Sequence, residues 1–108
     1  MAMPSSNTSR PLLIDLPDGH LRSVRSILGE RLPGRPVRVF GSRVRGTAKP
    51  TSDLDLCIMG DDALPPAVIN RLRDAFGDSR LPFKVDLAEW ATMNEAFRRI
   101  VVECSVEI

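Results

Sequence analysis

A single histidine, two cysteines and no tyrosine in 108 residues remove most of the side chains from which metal clusters and nucleophilic triads are built. Cys57 and Cys104 form no CxxC pair, so neither a zinc knuckle nor a disulfide framework is indicated, and each reads as a small buried hydrophobe. His20 follows Asp18 and Gly19 in a helical pattern, a place for an exposed or capping residue rather than a catalytic base. Aromatics are scarce at 5%, which leaves little to stack on nucleobases. No apolar run approaches the roughly 18 residues of a membrane span. Met1 to Arg10 lacks the apolar stretch of a secretory signal. Neither sign of charge dominates, with 15 Lys and Arg against 14 Asp and Glu. The expectation is one soluble cytoplasmic domain over residues 18–108, without membrane association, preceded by a flexible lead over residues 1–17.

What is present is organised by hydrophobic periodicity. Leu21, Val24, Ile27, Leu28 and Leu32 recur at helical spacing from Asp18 to Leu32, and Pro33-Gly34 stops that helix. Pro36 to Phe40 is short and β-branched, as a strand is. Asp53 to Met59 alternates, with Leu54, Leu56 and Ile58 on one face and Asp53, Asp55, Cys57 and Met59 on the other. A helix opens at Pro65-Pro66 and carries Val68, Leu72 and Phe76 on one side. Phe83 to Leu87 reads as a further strand, with Lys84 and Asp86 on its polar face. Thr92-Met93-Asn94-Glu95 has capping-box spacing and opens a helix through Phe97, Ile100, Val101 and Cys104, ending in a frayed tail. The order helix, strand, strand, helix, strand, helix predicts an α+β (α/β) domain, a small mixed sheet with helices packed on one face.

Three features carry chemistry. Asp53 and Asp55 share a strand face, their Cα atoms about 6.5–7 Å apart. They either converge on a cation or repel each other. Oxygen ligands alone favour Mg²⁺ or Mn²⁺ over zinc. Asp86 supplies a third acid if its strand is a neighbour. Taken alone, the same residues also describe a turn and two solvent-facing carboxylates. Gly41-Ser42 ends a strand and leads into a short helical turn, whose amides and hydroxyl suit phosphate oxygens. A simple turn with Ser42 as cap is the alternative. Finally, Arg31, Arg35, Arg38, Arg43, Arg45 and Lys49 form a run of cations without an acid between them. Acids for a metal beside cations for a phosphate tail are what a metal-bound polyphosphate requires.

Gly41-Ser42-Arg43-Val44-Arg45-Gly46, then Ser52-Asp53-Leu54-Asp55-Leu56, then Lys84-Val85-Asp86-Leu87 resembles the signature of the minimal nucleotidyltransferases. These are a small branch of the superfamily with a DNA polymerase beta-like core, and the likeness runs from Leu21 to Glu103. The resemblance implies transfer of AMP from ATP to an acceptor hydroxyl, dependent on Mg²⁺ or Mn²⁺. It implies catalytic and metal-holding roles for Asp53, Asp55 and Asp86, with Asp86 taking the acceptor's proton or activating the acceptor through a second metal. Gly41, Ser42, Arg43 and Arg45 would bind the nucleotide's phosphates, with Lys49 a further candidate. Members commonly pair as antitoxins with HEPN-domain ribonuclease toxins, and some adenylylate a tyrosine of the toxin. The chain has no tyrosine and no residues left over for an acceptor domain, so the expected acceptor is a hydroxyl, a tyrosine's foremost, on a HEPN-type partner. Three alternatives stay open: an antitoxin that neutralises by binding alone, a small-molecule nucleotidyltransferase of the aminoglycoside type, and nucleic-acid binding through the basic segment. The scarcity of aromatics argues against the last, and Trp90 is expected to pack rather than to stack on a base.

Overall fold

The computed structural model describes residues 13–108. Helix α1 spans Asp18–Arg31, strand β1 Val37–Phe40, the short helix α2 Ser42–Arg45 and strand β2 Leu54–Ile58. Helix α3 follows at Pro66–Gly77, strand β3 at Val85–Glu89, a 3₁₀ turn at Trp90–Thr92, helix α4 at Glu95–Glu103 and strand β4 at Val106–Glu107. The sheet order is β3-β2-β1-β4. β1 pairs antiparallel with both β2 and β4, and β2 pairs parallel with β3, so the sheet is mixed. Among the described residues no helix is long and apolar enough to cross a membrane.

Local chemistry sets the element ends. Asp18 in the first turn of α1 and Arg31 in its last both complement the helix dipole. Pro66 stands at the first position of α3, where its missing N–H costs nothing. The core lies on one side of the sheet. There Val24 and Leu28 of α1, with Ile69, Leu72 and Phe76 of α3, pack against Val37, Val39, Leu54, Leu56 and Ile58. Both longer helices are thus on one face, where the sequence predicts all the helices. α4 lies on the other, its Phe97 edge-on to Phe40 at 6.4 Å between ring centres. Cys57 points to that second side and is still fully buried, while Cys104 packs at the edge of the core.

Five local expectations need correction. Residues 13–17 are not a loose lead: Leu16 is buried, Ile14 packs on the core, and the Asp15 amide donates to the Arg43 carbonyl at 2.6 Å. The rest of the lead, residues 1–12, lies outside the described residues. β3 begins at Val85 rather than Phe83, because Phe83 leaves the ladder to pack edge-on against His20 at 5.8 Å. His20 therefore serves packing rather than capping. α4 is capped by Asn94, whose Oδ1 accepts from the Phe97 amide at 2.9 Å. Thr92 closes the preceding turn instead, its hydroxyl donating to the Glu89 carbonyl at 3.3 Å. The tail after α4 does not fray, since Val39↔Val106 and Arg38↔Glu107 pair in the ladder and add β4 beside β1.

Candidate active site

β2 runs between β1 and β3, and its register assembles the site. Asp55 stands opposite Phe40 on one side and opposite Asp86 on the other. In-register neighbours on adjacent strands put their side chains on the same face, about 4.8 Å apart. Asp55 and Asp86 therefore stand side by side. Asp53, two residues before Asp55 and just ahead of the strand, is exposed at the same edge. The three acids that the sequence nominates are thus neighbours.

Gly41 ends β1 one residue beyond Phe40, and only a glycine fits there. Its φ is 80° and ψ −154°, a region that side-chain-bearing residues avoid. A Cβ at this position would strike Asp55 Oδ2 and lie 3.3 Å from its Cγ. The missing side chain is the space the Asp55 carboxylate occupies. After Gly41 the chain turns into α2, where the Gly41 carbonyl accepts from the Val44 and Arg45 amides at 3.1 and 3.2 Å. The Ser42 and Arg43 amides are left at the open end of this turn, beside the half-exposed Ser42 side chain.

Electrostatics mark Asp55 as the strained member. Burial first, then the Asp86 and Asp53 carboxylates, raise its pKa above the ordinary 3.8. Asp86 is partly balanced by Lys84, whose Nζ lies 3.4 Å from Asp86 Oδ1 on an exposed rim. Water screens that pair, so it adds little to stability. As arranged, no three acidic, histidine or cysteine side chains among the described residues converge closely enough to hold a metal ion. Their donor chemistry nonetheless fits a hard divalent cation: three carboxylates, no sulfur or nitrogen, and a cradle at Gly41 that keeps one of them in place.

The basic segment is not the free phosphate clamp that its composition predicts. Arg43 is the clearest correction. Its guanidinium is buried and donates to the Asp15 and Pro50 carbonyls at 3.0 Å each and to the Ser52 carbonyl at 2.8 Å. It also lies 4.7 Å from the Phe83 ring centre. Arg43 therefore faces inward and ties three segments together, including the loop that delivers Asp53. A planar fork with several donors suits this task, which sequence spacing alone does not reveal. Arg35 donates to the Met59 carbonyl at 2.5 Å, and Arg38 to Ser105 Oγ at 2.6 Å. Arg45, in the short helix that Ser42 opens, and Lys49, in the loop after it, remain exposed. Trp90 is occupied as well, with the Arg98 guanidinium 4.8 Å from its ring centre.

A small mixed sheet that carries carboxylates on adjacent strands beside a Gly-Ser turn matches the nucleotidyltransferase core that the sequence resembles. The chain belongs to the nucleotidyltransferase domain family, whose sequence model matches residues 21–108. It is 43% identical over 95 residues, 88% of this chain and 83% of the relative, to the probable protein adenylyltransferase MntA of Haemophilus influenzae. Among solved structures, a toxin–antitoxin complex with AMP-PNP superposes with a TM-score of 0.67 at 23% identity, over 80% of this chain and 69% of that one. A complex of a tri-AMPylated Shewanella oneidensis HEPN toxin with its MNT antitoxin gives 0.60 at 20% identity, over 82% and 69%. These two establish the shared fold.

Two outcomes follow from the site's geometry. Arg43→Lys loses the fork that holds three carbonyls, and the folded state should weaken by about 2–4 kcal/mol in denaturant unfolding; a change under about 0.5 kcal/mol would assign Arg43 no structural role. Asp55 is an acid with a raised pKa, so its ionisation opposes folding. Stability is complete below the unfolded value of 3.8 and declines as pH rises through the higher folded value. Without divalent cations, Asp55→Asn should therefore melt at a higher temperature than the parent chain at pH 7, and the gap should close as pH falls towards 3.8. A gap that is absent, or that widens in acid, contradicts the assignment.

Proposed function

We propose that this chain transfers AMP from ATP to a hydroxyl of a HEPN-type ribonuclease toxin, and that this modification is how it acts as an antitoxin. The observation that carries the reading is the placement of Asp55 between the Gly41-Ser42 turn and Asp86, which sets that turn and the paired acids on one edge. The adenylyltransferase relative from Haemophilus influenzae and the fold shared with complexes of HEPN toxins support the choice of donor and partner. The absence of tyrosine from the chain fits an acceptor on another protein, with a tyrosine hydroxyl the foremost candidate.

Each residue has a task in this reaction. Ser42 and the amides at the start of α2 bind the β- and γ-phosphates, with exposed Arg45 beside them. Asp53 and Asp55, together with Asp86, would hold Mg²⁺ or Mn²⁺. The cation, when bound, supplies charge neutralisation for the triphosphate. Asp86 accepts the acceptor's proton as the hydroxyl oxygen attacks the α-phosphorus. The bond to the β-phosphate oxygen breaks and pyrophosphate leaves. Gly41 holds the geometry by giving Asp55 room.

With purified toxin, α-labelled ATP and Mg²⁺, the wild-type chain should label the toxin. Asp86→Asn should reduce the rate by about 10²–10⁴. Gly41→Ala, which displaces Asp55, should reduce it about a hundredfold. Absence of label on the toxin with both proteins folded refutes the reading. Neutralisation that persists in the Asp53→Asn, Asp55→Asn double variant would instead identify an antitoxin that works by binding.

A further inference from the structure

β3 ends the sheet, and the third acid is the second residue of this edge strand. The Leu54 amide donates to the Lys84 carbonyl at 2.9 Å. In a parallel ladder this phase sends the peptide groups of Lys84, Asp86 and Ala88 towards β2 and those of Val85, Leu87 and Glu89 outward. Among the described residues no backbone bond from outside the strand reaches the outward groups of Val85 and Leu87. The Glu89 carbonyl is taken by the Thr92 hydroxyl, which closes the open stretch.

Exposed edges are usually blunted by charge, bulges or a covering loop. Here the edge is instead flanked by two cavities of about 450 and 290 Å³, with Arg73 and Leu87 lining both. Phe76 and Phe83 line the larger, Ile69 and Met93 the smaller. Arg73 is exposed and makes no ion pair among the described residues. An open ladder, recesses along it with part-apolar walls and an exposed arginine without an ion pair are the features of an edge that accepts an extended peptide.

We propose that an extended segment of the acceptor protein adds to β3 as an antiparallel strand, with its hydroxyl-bearing residue opposite Asp86. This rests on the AMP-transfer reading above and specifies how the acceptor is held. Because Val85 and Leu87 exchange the hydrogen bonds with the added strand, Asp86 falls in a non-hydrogen-bonded pair. Such pairs bring the two Cα atoms to about 4.5 Å, with their side chains on the same face and at closest approach. The acceptor hydroxyl is thereby delivered to the carboxylate that takes its proton. Residues on either side of it point to the opposite face, where Phe76 and Phe83 line the larger recess, so the recognised pattern is apolar, hydroxyl, apolar. Arg73 adds a preference for an acidic residue nearby.

The test combines label transfer with amide hydrogen exchange on the full-length, ¹⁵N-labelled chain saturated with the HEPN-type toxin. The expected result is labelled toxin together with Val85 and Leu87 amides that exchange at least about tenfold more slowly than in the free chain. Labelled toxin with unchanged exchange at both amides overturns strand addition and leaves AMP transfer standing. Protection confined to α4 overturns it equally, because the partner then docks on the helix. No label on the toxin removes the reading on which the proposal rests.

Discussion

The register of β2 is the constraint on which the site depends. It is held from both sides, antiparallel to β1 and parallel to β3, and Asp55 is the residue that faces Phe40 and Asp86 at once. A slip of one residue would turn Leu54, Leu56 and Ile58, all buried, out of the core. Each such side chain contributes about 1.5–3 kcal/mol by burial, so the apolar face fixes the position of the polar one. The core does not take part in the chemistry, yet it decides which carboxylates meet. Gly41 follows from the same register: it is the first residue after the strand, and its bare α-carbon is what Asp55 packs against.

Placing three acids on one edge has an electrostatic cost that the fold leaves unrelieved. Asp55 is half-buried and repelled by Asp86 and Asp53, and Lys84 offers only a screened, exposed counter-charge. Most of the nearby positive charge is used elsewhere. Arg35, Arg38 and Arg43 donate to carbonyl or hydroxyl oxygens within the chain, which stitches loops to the sheet and removes them from the pool of phosphate ligands. Of the cations between β1 and β2, Arg45 and Lys49 remain exposed. Under the proposed function, a cation–polyphosphate pair would relieve the acids with its positive part and meet the turn with its negative part.

Much of this was legible in the sequence, for identifiable reasons. Alternation through Leu54, Asp55, Leu56 separates core from site without ambiguity, and Gly41-Ser42 marks the strand end. Pairing of the Asp86 strand next to β2 followed from the family resemblance rather than from any local pattern. The failures arise where tertiary contact overrides local pattern. Arg43 sits at a signature position among other arginines, and only the carbonyls of Asp15, Pro50 and Ser52 reveal that it faces inward. β4 has two residues, too short for any periodicity, and exists because β1 offers an edge. The true cap of α4, Asn94, lies two residues past Thr92, since the 3₁₀ turn consumes the first capping-type residue.

That Gly41, Ser42, Asp53, Asp55 and Asp86 form one site for a cation-bound triphosphate is tested most directly by paramagnetic broadening with Mn²⁺-ATP. In spectra of the ¹⁵N-labelled chain, the amides of Gly41, Ser42, Asp55 and Asp86 should broaden first and together, and Asp55→Asn should abolish the effect. Broadening centred elsewhere on the surface, or none at these residues with nucleotide in excess, would contradict it.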